Sequence, residues 1–283
     1  MKLVGAVTRG SGAVNEDGLG FLGGDNDISA AWIFDGVTGI NGQNLIGKGS
    51  DAAWLVARAD EHLRVLAACD IPLREILSKL VQALITDFET AVNAREIPGD
   101  YDPPATCLTM VKRYGGTWQA LSLGDSCLLV RGIDGAHFSV SASPYNVFDQ
   151  WLSTEALKRR DAGMLDIKEL LAEFRPQLME NRKLRNAPGG YGILEASPTA
   201  AAYAEYFDLG TPRGILLCTD GYYRAVDHYA LHSVESLLEA SLVSGGVERV
   251  LNSIRSVETS DPACVTYLRF KPTDDATAVA LQD

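Results

Sequence analysis

Apolar and polar positions along the chain alternate between two periods, and the order of those periods predicts the architecture. Short apolar runs bounded by Gly, Asn and Asp predict strands over residues 2–8, 19–22 and 30–34. The period then changes. Leu55, Val56, Ala59, Leu63 and Leu66 recur at helical spacing behind a Ser50-Asp51 cap. A longer stripe of Leu73, Ile76, Leu77, Leu80, Val81, Leu84, Ile85, Phe88 and Val92 opens at Pro72 and predicts a helix closed by Pro98-Gly99. Strand spacing returns over 105–113, 117–123, 127–131 and 137–140, with connections short enough to make neighbours antiparallel. Residues 144 to about 210 interrupt this block with polar, helical segments over 148–160 and 167–184. A strand over 215–218, two helices over 234–242 and 247–254, and strands over 265–270 and 277–281 complete the chain. Strands, then helices, then strands predict an α+β fold with antiparallel sheets covered by helices.

Three predicted strands end in an aspartate beside a glycine. Residues 30–34 run into Asp35-Gly36, 121–123 into Gly124-Asp125-Ser126, and 214–218 into Thr219-Asp220-Gly221. Asp-Gly is also the favoured hairpin turn, and a hairpin requires a second strand directly afterwards. Asp134-Gly135 meets that requirement and reads as a turn. Asp35-Gly36 is followed by a polar glycine loop, and Asp220-Gly221 by Tyr-Tyr-Arg-Ala, with no clear partner strand. These two read as site residues.

Composition narrows the function. Thirty-seven acids against 25 bases give a net charge of −12, which opposes nucleic-acid or anionic-membrane binding as the main role. No apolar run reaches membrane-spanning length, and the first residues are too short an apolar stretch for a signal peptide. Cys69, Cys107, Cys127, Cys218 and Cys264 form no C-x-x-C pair and lie mostly in apolar runs, so buried free thiols in a reducing cytoplasm are expected.

Two more acidic clusters, Asn15-Glu16-Asp17-Gly18 and Asp274-Asp275-Ala276-Thr277, flank predicted strands. Carboxylates brought together repel and raise one another's pKa, and a hard divalent cation relieves that penalty. All candidate ligands are oxygens, and the four histidines lack metal-ligand spacing, which favours Mg²⁺ or Mn²⁺ over Zn²⁺. Solvated acids in loops are the alternative reading.

In order, Asn15-Glu16-Asp17, Asp35-Gly36-x-x-Gly39, Pro104-Ala105-Thr106, Gly124-Asp125-Ser126, Thr219-Asp220-Gly221 and Asp274-Asp275-x-Thr277 resemble the motifs of the metal-dependent serine/threonine phosphatases of type 2C. The resemblance runs from about residue 5 to 281 and implies one domain over 1–283 with a flap-like insertion at about 144–210. It implies a four-layer α-β-β-α sandwich, two packed antiparallel sheets flanked by helix pairs. It also implies that Asp35 bridges two Mn²⁺ or Mg²⁺ ions, with the Gly36 carbonyl on one of them. Asp220 and Asp274 would complete one shell, Glu16 and Asp17 would serve the other, and Asp125 would contribute to a third, weaker site. The implied reaction is attack on a phosphoserine or phosphothreonine of a protein by a metal-bridging hydroxide, with Asp35 and Asp220 in catalytic positions and a phosphorylated protein as partner.

Three positions depart from the family pattern. Gly12 stands where a phosphate-binding arginine is usual, which leaves Arg9, three residues earlier, as the candidate replacement. Val37 follows Asp35-Gly36 where many relatives carry His or Met, and cannot donate a proton. Arg224 stands where some relatives carry an acid for the third metal. A degenerate fold serving as a phosphoprotein-binding module, and a small-molecule phosphatase, therefore remain as alternatives. Lys158-Arg159-Arg160 and Arg182-Lys183-x-Arg185 in the insertion read either as a solvated face or as a contact for an acidic or phosphorylated partner.

Overall fold

A computed structural model describes residues 1–37, 39–93, 95–140, 143–164 and 166–283. The chain enters through strands β1 (Lys2–Arg9), β2 (Gly18–Gly24) and β3 (Asp27–Val37), then forms helices α1 (Asp51–Leu66) and α2 (Leu73–Val92). Four strands follow: β4 (Ala105–Tyr114), β5 (Thr117–Leu123), β6 (Cys127–Arg131) and β7 (His137–Val140). Helices α3 (Ser143–Asp161) and α4 (Ile167–Arg182) precede the short β8 (Leu194–Glu195), then β9 (Glu205–Gly210) and β10 (Gly214–Cys218). Helices α5 (Asp220–Asp227), α6 (Val234–Ser241) and α7 (Gly246–Ser260) lead to the last strand, β11 (Ala276–Gln282).

The strands build two antiparallel sheets. One has the order β1-β11-β10-β6-β7; the other runs β2-β3-β4-β5-β9, with β8 paired to β4. Side chains alternate between the faces of a strand, and that alternation sorts the core into layers. On β3, Ala30, Trp32 and Phe34 pack under α1 and α2, whereas Ala31 and Ile33 face the opposite sheet. On β10, Leu216 and Cys218 lie under α5–α7, and Ile215 and Leu217 join the layer between the sheets. The result is the expected α+β sandwich of helices, sheet, sheet and helices. Among the described residues no helix is long and apolar enough to cross a membrane.

Local chemistry sets the element ends. Ser50 caps α1 by accepting from the Ala53 amide at 3.2 Å. Next to it, the Asp51 carboxylate accepts from the Leu45, Ile46 and Gly47 amides at 2.8, 2.9 and 2.7 Å and from the Tyr101 hydroxyl at 2.7 Å. Burial opposes the Asp51 charge, but these donors outweigh it and hold the pKa below the ordinary value. The loop after β3 is thereby folded onto the start of α1.

Four expectations need correction. Helix α2 ends at Val92, well before Pro98-Gly99, and the Arg95 side chain reaches back to the Ala91 carbonyl at 3.0 Å. Residues 265–270 form no strand, because their backbone donors are captured by a single acid: Asp261 accepts from the Val265, Thr266 and Tyr267 amides at 2.7, 3.2 and 3.0 Å. The segment 144–210, expected to interrupt the strands over its whole length, does not do so. It ends in β9, an edge strand that pairs Phe207 with Ala120 on β5. Cys69 is exposed, since it sits in the turn between α1 and α2 rather than under a sheet; the other four cysteines are buried, and all five are free.

Helix α2 is held to its sheet chiefly by apolar contact, and Leu77 at its centre is fully buried. Leu77→Ala is expected to lower the free energy of unfolding by about 2–5 kcal/mol, the range for a large-to-small change in a packed core. Urea titration of the two proteins measures the difference.

Candidate active site

Sheet register carries the acidic residues to one end of the sandwich. Asp35 pairs with Cys107 near the end of β3, and Gly18, directly after Asp17, pairs with Phe34. Cys127, two residues after Asp125, pairs with Cys218, two residues before Asp220. Ala276, two residues after Asp274, pairs with Arg9 at the end of β1. Asp17, Asp35, Asp125, Asp220 and Asp274 therefore come together, with Glu16 beside them. The Asp134-Gly135 pair instead turns the β6–β7 hairpin, as expected.

The neighbouring glycines permit this convergence. A Cβ on Gly36 would lie 2.4 Å from the Glu16 carbonyl oxygen, and one on Gly221 would lie 1.9 Å from that of Asp275. Both are closer than any side chain tolerates, so the backbones can meet only at glycine. Asp220-Gly221 is thus neither a hairpin nor a loop: it opens α5 behind Thr219.

Two threonines from the motifs hold the buried Asp17. Thr219 Oγ1 donates to Asp17 Oδ2 at 2.9 Å and accepts from the Thr277 amide at 3.0 Å. Asp275, missed as a separate element of the site, ties the β1–β2 loop down by accepting from the Ser11 and Glu16 amides at 2.6 and 2.7 Å. Its position next to Asp274 was the available signal.

The electrostatics are those of crowded like charges. Burial raises the Asp35 pKa well above the ordinary value, and the charges of Asp220, Asp17, Asp125 and Asp274 raise it further. Burial, with Asp220 and Asp275, pushes Asp17 up to about 8 against the pull of the two threonine hydroxyls. Burial and Asp220 likewise raise Asp274, although Arg224 and Lys271 oppose them. Arg224 and Lys271 both pair with Asp274. His228 is pushed down to about 4 by burial, then by Arg224 and Arg269, and is neutral at physiological pH.

Oxygen donors that raise one another's pKa fit a hard divalent cation, which supplies the missing positive charge. Among the described residues, however, no three acids, cysteines or histidines already converge on a single point. Four of the acids are turned to internal partners instead. Glu16 accepts from Ser50, Asp17 from Thr219, Asp125 Oδ1 from the Cys107 thiol at 3.1 Å, and Asp274 from its two cations. The donor chemistry fits the metal expectation, and rotation of these side chains would expose the donors.

Asp35, Asp125, Asp220 and Asp274 line a cleft of about 460 Å³ whose walls come from α4, α5 and the loop before β11. Arg182, Arg224, Arg269 and Lys271 bring positive charge to it. Arg224 stands at the position where some relatives carry an acid for the third metal and Arg182 belongs to the basic run of the insertion, whereas Arg269 and Lys271 were not singled out in the sequence. Arg224 lies one helical turn after Asp220, a spacing that puts both on one face. A second hollow of about 500 Å³ between α3 and α4 is apolar and holds none of these acids.

Arg9 is not brought to the cleft. It is exposed, and its Nη1 donates to Asn252 Oδ1 on α7 at 3.0 Å. The bases of the insertion are also engaged within the chain: Arg182 and Arg185 hold Asp102 at 2.7 and 3.0 Å, Arg159 pairs with Glu155 and Glu173, and Lys158 with Glu155.

Comparison with known proteins agrees with this architecture. The family profile described as "Protein phosphatase 2C" matches residues 4–257. No curated protein is matched by the sequence. Among solved structures, the chain resembles the serine/threonine phosphatase PstP/Ppp of Mycobacterium tuberculosis, with 18% identity, TM-score 0.55, and coverage of 99% of this chain and 97% of that one. The serine-threonine phosphatase MsPP of Mycobacterium smegmatis, solved with cacodylate, gives 16% identity, TM-score 0.55 and coverage of 100% and 99%. The PstP catalytic domain solved with two manganese ions gives 18% identity, TM-score 0.53 and coverage of 98% and 95%. The fold is that of these phosphatase sandwiches. The chain belongs to the protein phosphatase 2C family.

The raised Asp17 pKa makes stability depend on pH. The folded state holds this proton more tightly than the unfolded chain, so the contribution is present in full below the ordinary value of 3.8 and is lost as pH rises through about 8. In chelator, the urea midpoint should fall between about pH 5 and pH 8, and Asp17→Asn should flatten that fall. An equal slope in both proteins would remove Asp17 from the explanation.

Proposed function

We propose that the chain is a Mn²⁺- or Mg²⁺-dependent phosphomonoesterase acting on phosphoserine or phosphothreonine in proteins in the cytoplasm. Residues 1–283 would form one catalytic domain, with 144–210 as its flap-like insertion. The observation that carries the reading is the cluster of Asp17, Asp35, Asp125, Asp220 and Asp274: burial and the neighbouring charges raise the pKa of Asp17, Asp35 and Asp274, and Asp35, Asp125, Asp220 and Asp274 line the cleft. Asp35 and Asp220 would hold metal together with Asp274, Glu16, Asp17 and the Gly36 carbonyl, and Asp125 would serve a weaker third ion. Bound metal supplies water activation and neutralises charge on the phosphoryl oxygens.

The chain's own residues do the rest. Thr219 and Thr277 fix Asp17, and Gly36 and Gly221 let the acid-bearing strands meet. Val37 offers no proton to a leaving group, and His228 is neutral, so protonation of the leaving oxygen falls to solvent. The pairing of Asp274 with both Arg224 and Lys271 favours a second reading, a phosphoprotein-binding module without turnover.

Phosphoserine and phosphothreonine peptides, phosphorylated metabolites and p-nitrophenyl phosphate, each assayed with Mn²⁺ and after exhaustive chelation, separate the readings. Turnover of phosphopeptides and of the nitrophenyl ester that vanishes on chelation and returns with Mn²⁺ is expected. Preference for the metabolites would place the enzyme among small-molecule phosphatases. Binding of phosphopeptide without turnover would favour the module, and full activity after chelation would remove the metals.

Asp35→Asn provides the companion test. Its kcat should fall by more than about 100-fold, the upper range of loss when only the partner of a metal ligand is removed. Its metal-free unfolding midpoint should stay level or rise, because a repelling charge is gone. Near-normal turnover would show Asp35 to be misassigned.

A further inference from the structure

A cleft that receives a dianionic phosphoester needs a cation directed into it, and the four basic residues lining it are not equivalent. Arg269 is fully committed to structure. It donates to the Pro272, Tyr267 and Glu258 carbonyls at 3.0, 3.0 and 3.3 Å, and to Asp261 Oδ2 at 2.8 Å. Arg182 is held on Asp102 at 2.7 Å. Lys271 is half exposed on a flexible stem. Arg224 differs from all three: its side chain is 16% exposed, Nη2 pairs with Asp274, the Tyr229 hydroxyl lies close enough to interact with the guanidinium, and Nη1 is buried and makes no hydrogen bond of acceptable geometry.

A buried guanidinium donor with no acceptor is costly unless something in the cleft accepts from it. The backbone that presents it is fixed, since the Arg224 carbonyl accepts from the His228 and Tyr229 amides at 3.3 and 2.8 Å at the end of α5. The β1–β2 loop offers no competitor. Gly12 is exposed with nothing within 4 Å of its Cβ position, and Arg9 is directed to Asn252.

We infer that Arg224 binds the phosphoryl group of the substrate, with Asp274 holding one arm of its guanidinium and the other arm donating to a phosphoryl oxygen. The inference rests on the phosphatase reading for its substrate. A planar, permanently charged fork is the side chain best suited to such an oxygen. Asp274 thus has two duties in this chain: it is a candidate metal ligand, and it aims the phosphate-binding cation.

The test uses the full chain loaded with Mn²⁺. Binding of inorganic phosphate is measured by calorimetry, and p-nitrophenyl phosphate kinetics in parallel, for the wild type, Arg224→Ala, Arg224→Lys and Arg9→Ala. Mn²⁺ affinity is measured for each protein. Arg224→Ala should weaken phosphate binding and raise KM by about tenfold or more, the loss of one charge-assisted bond. Arg224→Lys should recover part of it, and Mn²⁺ should bind both no less tightly than the wild type. Unchanged phosphate binding in Arg224→Ala, a loss that merely follows weaker Mn²⁺ binding, or a larger loss in Arg9→Ala would overturn the inference. If Arg224→Ala does not fold, the lysine variant decides, with weaker phosphate and unaltered Mn²⁺ binding expected. Phosphate binding that depends on Arg224 in a protein with no turnover would uphold the inference while removing the phosphatase reading.

Discussion

Repulsion among buried carboxylates is the constraint around which the chain is arranged. Bringing Asp17, Asp35, Asp125, Asp220 and Asp274 to one end of two sheets stabilises nothing by itself: burial and the crowded charges raise the pKa of Asp17, Asp35 and Asp274. The sandwich has to hold them there. It does so with apolar layers on both sides of each sheet. A protein tolerates such a cluster where function requires it, and the surrounding fold carries the cost.

The same constraint explains the small residues and hydroxyls around the site. Close backbone approach requires glycine at 36 and 221, and a buried acid requires donors, which Thr219 and Thr277 supply to Asp17. Asp274 takes a different solution, a buried arginine from the first turns of α5 and a lysine three residues before it. On the proposed reading, Asp274 is the point where metal chemistry and anion binding meet.

Much of the fold was legible because its strands are short, largely apolar runs bounded by turn residues. Strands β5, β6 and β7 begin and end where those runs do, and Leu73 to Leu84 forms the buried stripe that its spacing indicated. The failures have local causes. Strand β9 is a half-exposed edge with polar positions inside a polar stretch, so its pattern is weak. Helix α5 is short and opens on Asp-Gly, a turn signal. Residues 265–270 have strand composition, yet Asp261, a few residues upstream, takes three of their amides, a local capture that composition does not encode. The acids were legible through motif order, whereas the role of the cations was not. Arg9 lies near the acids in sequence but is bound to α7, and Arg224, noted only as a departure from the acid pattern, is seen to pair with Asp274 only once α5 is known to be a helix.

The central claim is that a divalent cation relieves the carboxylate repulsion. Thermal unfolding with and without Mn²⁺, for the wild type and Asp35→Asn near pH 8, tests it without any assumption about substrate. Ligand that binds only the folded state raises stability by about 2.7 kcal/mol at a hundredfold excess over its dissociation constant. The account predicts a clear, concentration-dependent rise in the wild-type midpoint and a much smaller one in Asp35→Asn. An equal response in both proteins, or none in the wild type, would contradict it.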